Sequence, residues 1–183
     1  MRALSIALSA AVVAMSHASL AAEPSPYAGE QTRAIKALSA AEIADLEAGR
    51  GMGLARAGEL NGYPGPAHVL ELADALGLTP AQRDQVTEIR MRMTAAAKPL
   101  GAEIIAEERA LDRSFADGTI DATRLAAATE AIGALRGKLR AVHLAAHLET
   151  KRVLTPDQIR RYDELRGYGA APAGHHHMPG HGG

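Results

Sequence analysis

Two long runs of apolar residues at helical spacing constrain this chain more than any other feature. Val86, Ile89, Met93, Ala96, Leu100, Ile104, Leu111 and Phe115 recur at intervals of three, four or seven. So do Leu125, Ala128, Ile132, Leu135, Leu139, Val142, Ala146 and Val153. That period puts one apolar stripe on each of two long helices. Only an Asp117-Gly118 turn and an Asp121 cap part them, so burying both stripes requires the helices to fold back as an antiparallel hairpin. The first helix, running to about Ala116, would be ~55 Å long at 1.5 Å per residue. Pro99 and Gly101 fall inside it, which predicts a bend or a break there.

The same five-residue start signal occurs twice. Leu78, Thr79, Pro80 and Gln82 form one LTPxQ and Leu154, Thr155, Pro156 and Gln158 the other. In each, Thr caps, Pro is pre-organised for the first helical position, and Gln stands three residues after the cap to reach back to it. The second copy opens a final helix with Ile159, Tyr162 and Leu165 on its apolar face, ending near Gly167. Upstream, Ser39 and Glu42 have capping-box spacing and Gly49 is a stop, predicting a helix over 40–48. Segment 49–66 is a Gly- and Pro-rich joint. Pro66 then starts a helix running to Gly77, with Val69, Leu70, Leu72, Ala73 and Leu76 inward. The fold expected is all-α: a long antiparallel helical hairpin with shorter flanking helices.

The ends read differently. Residues 1–22 have one Arg2, an apolar run and small residues at their close, the outline of a secretory signal peptide cut after Ala21 or Ala22. The Leu4 to Met15 run is shorter than the ~20 apolar residues of a membrane span. Residues 23–33 form a flexible lead-in, 34–65 a short helix and joint, 66–168 the hairpin domain, and 169–183 a His-rich tail whose composition predicts disorder.

Composition narrows the chemistry. The 183 residues contain no Cys, which removes disulfides, thiolate metal sites and thiol nucleophiles, and suits a compartment where folding does not depend on oxidation. With 20 basic against 21 acidic residues and 3% aromatics, neither phosphate neutralisation nor base stacking is provided for, so no nucleic acid is expected as partner. There is no GxSxG, P-loop or dinucleotide fingerprint, and the acids are scattered along helices, so the chain reads as no enzyme.

Histidine is the remaining chemistry. His143 and His147, at i and i+4, put both imidazoles on one helix face at a spacing that chelates Zn, Ni, Co or Cu. The plainer alternative makes them boundary residues of the hairpin interface. HAAHLE lacks the Glu of HExxH, so no zinc protease is implied. His68, with Glu71, could add ligands if its helix folds onto the hairpin, and Glu88 and Glu103 are further carboxylates, although such charges usually form a solvated face. Met91 and Met93 lie on different faces of a helix, and Met93 reads as core. His175, His176, His177, Met178 and His181 form an N/S-donor cluster suited to capturing ions with little selectivity.

The two LTPxQ copies flanking a long hairpin behind an export signal resemble the Spy/CpxP-like LTxxQ proteins of the bacterial periplasm, from about His68 to Tyr168. The resemblance implies a dimeric, all-helical periplasmic protein, acting as an ATP-independent chaperone or an envelope-stress adaptor. Its partners would be unfolded or misfolded envelope proteins, or a membrane-bound sensor or regulator, with Arg90, Arg92, Arg109, Arg136 and Arg140 as the basic part of a client-binding face. No cofactor is required for that role. The neighbouring CnrX-like heavy-metal sensors and zinc-responsive ZraP-like proteins share the hairpin, and VLTPDQIRRYDELRGY is similar to the corresponding end of the sensor branch. That likeness implies the alternative of a metal sensor or buffer. The sensors carry a His and a Met four apart where this chain has Ala146 and Thr150, the nearest pair here being His143 and His147.

Overall fold

The computed structural model describes residue 23 and residues 25–169. Residues 1–22, where a signal peptide is expected, and His175, His176, His177 and His181 lie outside the described residues. The chain divides into two compact units, 1–31 and 32–183. Of the first, the described part is a succession of turns in which Ala28 N–H donates to the Ser25 carbonyl and Glu30 N–H to that of Tyr27.

Among its described residues the second unit has six α-helices: α1 (Ala40–Ala48), α2 (Arg56–Glu59), α3 (Pro66–Glu71), α4 (Pro80–Ala116), α5 (Ala122–Val153) and α6 (Pro156–Leu165). α4 and α5 are the arms of the expected hairpin and pack on one another. Ser39, Thr79 and Thr155 form reciprocal capping boxes with Glu42, Gln82 and Gln158, and Asp121 caps α5. No described helix is long and apolar enough to cross a membrane.

The two motif glutamines do more than cap. Gln82 Nε2 donates to Gln158 Oε1 and to the Val153 carbonyl, both at 2.9 Å. Gln158 Nε2 donates back to Gln82 Oε1 at 3.1 Å and to the Leu76 carbonyl at 3.4 Å. Each Oε1 also accepts the N–H of its own capping Thr, at 3.0 and 2.9 Å. The amides thus clasp the starts of α4 and α6 and satisfy a carbonyl left open at the end of α5.

Three expectations are corrected. Of the bend or break expected at Pro99, no break occurs: α4 runs through it as one helix. Proline there forfeits the hydrogen bond to the Ala95 carbonyl, but Ala95 and Pro99 are both exposed, so water can satisfy that group while Ala97, Ile104 and Ile105 stay buried. α3 stops at Glu71, and Leu72–Gly77 form turns that still bury Ala73 and Leu76. The stripes are buried only in part: Ala97 and Ile105 are covered where Ala96 is exposed, and Phe115 and Leu125, near the hairpin tip, are 57% and 40% exposed. Two helices alone cannot enclose both stripes; burial is deepest where other segments lie on them.

Those segments create two apolar cores. In the first, Ile35, Leu38 and Leu46 pack on Ala97, Ile104, Ile105 and Leu139. Residues 35–46 are therefore integral to the packing of the hairpin. In the second, Val69, Ala73, Leu76 and Leu78 pack with Val86, Leu154 and Tyr162. Along α5, the turns from His143 to Thr150 fall between Leu139 of the first core and Leu154 of the second, and along α4 Met93 falls between Val86 and Ala97.

Candidate functional site

A cavity of about 550 Å³ opens in that interval, its wall including Glu59, His68, Met93, His143, His147 and Tyr168. The joint 49–66 supplies much of the wall. Its loop turns at Gly51, Met52 and Gly53, and Met52, at φ 44°, is the one non-glycine residue with positive φ among those described. An unbranched residue in that region carries strain, and strain of this kind tends to gather at ligand-handling loops. A side chain at Gly51 would begin 3.5 Å from His143 Nδ1, so the loop backbone lies directly against this imidazole.

His143 is 2% exposed, and its Nε2 is buried with no hydrogen-bond partner among the described residues. Burial, and then the neighbouring His147, push its pKa below the ordinary 6.5. The ring is therefore held neutral, with a lone pair to offer when the proton sits on the other nitrogen. Its sign in stability follows directly. The unfolded imidazole takes up a proton near 6.5 and the folded one only at lower pH, so acidification below about 6.5 costs stability. Urea midpoints of the protein should fall from pH 7 to pH 5 more steeply than those of His143→Gln; parallel curves would show that this ring is not what loses stability.

His147 is oriented from behind. Its Nδ1 lies 2.7 Å from the Tyr63 carbonyl, which can only accept, so the proton sits on Nδ1 and Nε2 keeps its lone pair. A Cβ at Gly65 would come within 2.9 Å of that Nε2 and 2.8 Å of Cε1. Glycine keeps this place clear.

Glu59 is the residue that sequence reasoning missed. It is 9% exposed and accepts hydrogen bonds from Tyr162 Oη at 2.5 Å, Tyr168 Oη at 3.2 Å and Gly65 N–H at 3.1 Å. Arg166 Nε stands 3.6 Å away, His68 Nδ1 3.5 Å and His147 Nδ1 3.7 Å. Burial and the bond to Glu59 push the Tyr162 phenol far above its usual pKa, so it remains a donor. A buried carboxylate survives only with such partners. No local pattern in GRGMGLARAGELNG singles this acid out, because its partners arrive from α3, α5 and α6.

Thus the structure brings His68, His143 and His147 to one cavity. Met93 belongs to its wall rather than to a sealed core. Glu71, Glu88 and Glu103 are exposed elsewhere, Glu88 pairing with Arg92 at 3.5 Å. Arg92 also reaches Glu149 at 2.7 Å, and Arg136 reaches Glu108 at 2.8 Å, so these two of the five arginines tie α4 to α5. His175, His176, His177 and His181 lie outside the described residues. Among the described residues, no three His, Asp or Glu side chains are placed to hold a metal ion together.

Comparison with curated proteins and with solved structures returned no match. A family model does match, that of the LTXXQ motif family proteins, over residues 67–166. The span takes in both LTPxQ starts, the hairpin between them and α6. With the paired motif glutamines clasped at the base of a helical hairpin and the family model covering more than half of the sequence, the chain belongs to the LTXXQ motif family.

Proposed function

We propose that this protein is a metal-responsive LTXXQ protein of the periplasm, taking a divalent transition-metal ion through His143 and His147. Proteins of the family are generally periplasmic and non-enzymatic. The observation that carries the reading is the buried, partnerless Nε2 of a neutral His143 in a cavity shared with His147. An unsatisfied buried nitrogen costs about 1–3 kcal/mol, and a ligand that engages it recovers that cost. Gly65, leaving room beside His147 Nε2, is a second fit to the same group. The ion would supply a charge beside His143, whose burial favours the neutral ring. Ligation of both imidazoles would tie α5 to the joint 49–66, whose backbone and side chains already hold them, and so would couple occupancy to the packing of that joint.

Calorimetric titration with Zn, Ni, Co and Cu(II) tests this. The protein should bind one ion per chain, and His143→Ala with His147→Ala should weaken binding about 100-fold or more, some 2.8 kcal/mol. Equal affinity in the double variant would end the proposal. Gly65→Ala, which removes no ligand, should also weaken binding by crowding His147.

A second reading, the ATP-independent chaperone or adaptor, has its own support. An open groove beside α4 is lined by Leu70, Met91, Arg90 and Lys98, and Met91 is 66% exposed. Apolar contact flanked by cations suits weak, dispersed capture of unfolded chains. Such activity would appear as metal-independent suppression of client aggregation, diminished by Met91→Glu.

A further inference from the structure

The imidazole pair offers an ion two nitrogens and little else of the same kind. No three His, Asp or Glu side chains among the described residues are placed to hold an ion together. Glu59 is committed to Tyr162, Tyr168 and the Gly65 N–H. Cysteine, the usual sulfur donor, is absent from the chain. Methionine carries a further donor, a polarizable thioether sulfur. Three of the six methionines, Met52, Met91 and Met93, are among the described residues. Met91 lines the groove beside α4, whereas Met52 and Met93 both stand on the cavity wall with His143 and His147.

Different elements deliver the two thioethers. Met93 is half-buried on α4, in the interval between the two cores. Met52 belongs to the 51–53 loop, 39% exposed and held at φ 44°, with Gly53 beside it at φ 76°. This is the loop whose Gly51 backbone lies against His143, so the strained residue is the next one along from the buried imidazole. Positive φ costs a methionine energy that it would not cost glycine, and what methionine adds in exchange is its sulfur. Three rotatable bonds let each thioether adjust to an ion while the backbone stays in place. Sulfur of this kind discriminates between ions. Zinc draws its protein ligands from cysteine, histidine and carboxylates, so for zinc the cavity offers its imidazoles alone. Thioethers select softer ions, Cu(I) among them. A monovalent ion also suits a buried place, because the cost of removing an ion from water rises with the square of its charge.

We infer that Met52 and Met93 complete, with His143 and His147, a two-nitrogen, two-sulfur site for a soft monovalent ion, Cu(I). This rests on the metal reading above and extends it: the pair that takes a divalent ion through nitrogen takes Cu(I) through nitrogen and sulfur together. The added donors change what the ion connects. Ligation by nitrogen alone draws its donors from α5, whereas Cu(I) would join α5 to α4 through Met93 and to the joint through Met52, so the two classes of ion would brace the hairpin differently.

Anaerobic titration with Cu(I) against a chromogenic Cu(I) chelator, run in parallel with Zn(II), tests this on the full chain, on Met52→Leu with Met93→Leu, and on His143→Ala with His147→Ala. Leucine nearly conserves the volume of methionine and removes the sulfur. Met52→Leu alone, at a part-exposed position, keeps the test decisive if the paired change impairs folding. The leucine pair should weaken Cu(I) binding at least tenfold, about 1.4 kcal/mol, and leave Zn(II) affinity unchanged. The single Met52→Leu should move Cu(I) alone in the same direction, and the histidine pair should weaken both ions. X-ray absorption of the equimolar Cu(I) protein should show sulfur scattering that disappears in the leucine pair. Sulfur scattering that persists there would place the donor elsewhere and overturn the inference. Unchanged Cu(I) affinity in the leucine variants, with loss in the histidine variant, would overturn it and leave the metal reading intact. Equal weakening of Cu(I) and Zn(II) by leucine would mean disturbed packing and overturn it as well. Binding of both ions indifferent to the histidine pair would overturn both readings.

Discussion

Gly101→Ala should destabilise the protein by about 3 kcal/mol or more and free α1 from the hairpin. A Cβ at this position would lie 2.2 Å from the Leu46 carbonyl oxygen and 2.8 Å from its carbon. Both are backbone atoms, so no rotamer change makes room; the helix end must lift. Lifting it uncovers Ile35, Leu38 and Leu46, which are 0%, 3% and 2% exposed, and each such side chain contributes about 1.5–3 kcal/mol by burial. Against this stands only the better helix propensity of alanine, about 1 kcal/mol. Gly133 and Gly137 supply the control. Both lie inside α5 with nothing within 4 Å of the place a Cβ would take, so alanine there should be neutral or stabilising by up to about 1 kcal/mol. Urea unfolding of the three variants, with amide exchange over α1, decides the matter. Equal stability of Gly101→Ala and Gly137→Ala would refute the close-packing account.

Gln82→Glu should cost about 3 kcal/mol at neutral pH, although the side chain keeps its shape. Its Oε1 can still accept from the Thr79 N–H, so the cap survives. What disappears is the amide donor to the Val153 carbonyl and to Gln158 Oε1, leaving a carboxylate facing two acceptors in a half-buried place. Each lost partner of that kind is worth about 1–3 kcal/mol. The folded-state pKa of this new Glu should be raised above its unfolded value. The stability remaining at low pH is therefore lost as pH rises, and the deficit against the parent should shrink below about pH 4, where a protonated carboxyl can donate again. A deficit independent of pH would show that the donor was not the important part. This reciprocity explains why the motif ends in glutamine: Glu would cap either helix equally well, but only an amide can cap and clasp at once.

Much of the secondary structure is legible in the sequence because its causes are local. The four caps, Ser39, Thr79, Asp121 and Thr155, are each set within three residues of the N–H they serve, and the stripes on α4 and α5 repeat with the helical period whatever lies opposite. Pro99 misleads for a related reason. It reads as a breaker on local grounds, yet the packing on both sides of it outweighs one forfeited hydrogen bond. The site is legible in part. His143 and His147 stand out by spacing, whereas Glu59 sits in a Gly-rich joint that reads as connection, and Met93 reads as one more residue of a stripe.

Helix starts, the hairpin turn and the pairing of two histidines on one face follow from interactions between residues a few positions apart, and for these the sequence is sufficient. Tertiary structure alone decides which atoms meet across it. Tyr162 reaches Glu59, 103 residues away, and His147 meets the Tyr63 carbonyl, 84 residues away. Gln82 and Gln158, 76 residues apart, exchange amide bonds. The burial that leaves His143 Nε2 without a partner likewise depends on a loop folded against α5. Periodicity states which face of a helix is apolar, but the low-dielectric surroundings that set a side chain's charge and its need for a partner exist only once distant segments have packed around it.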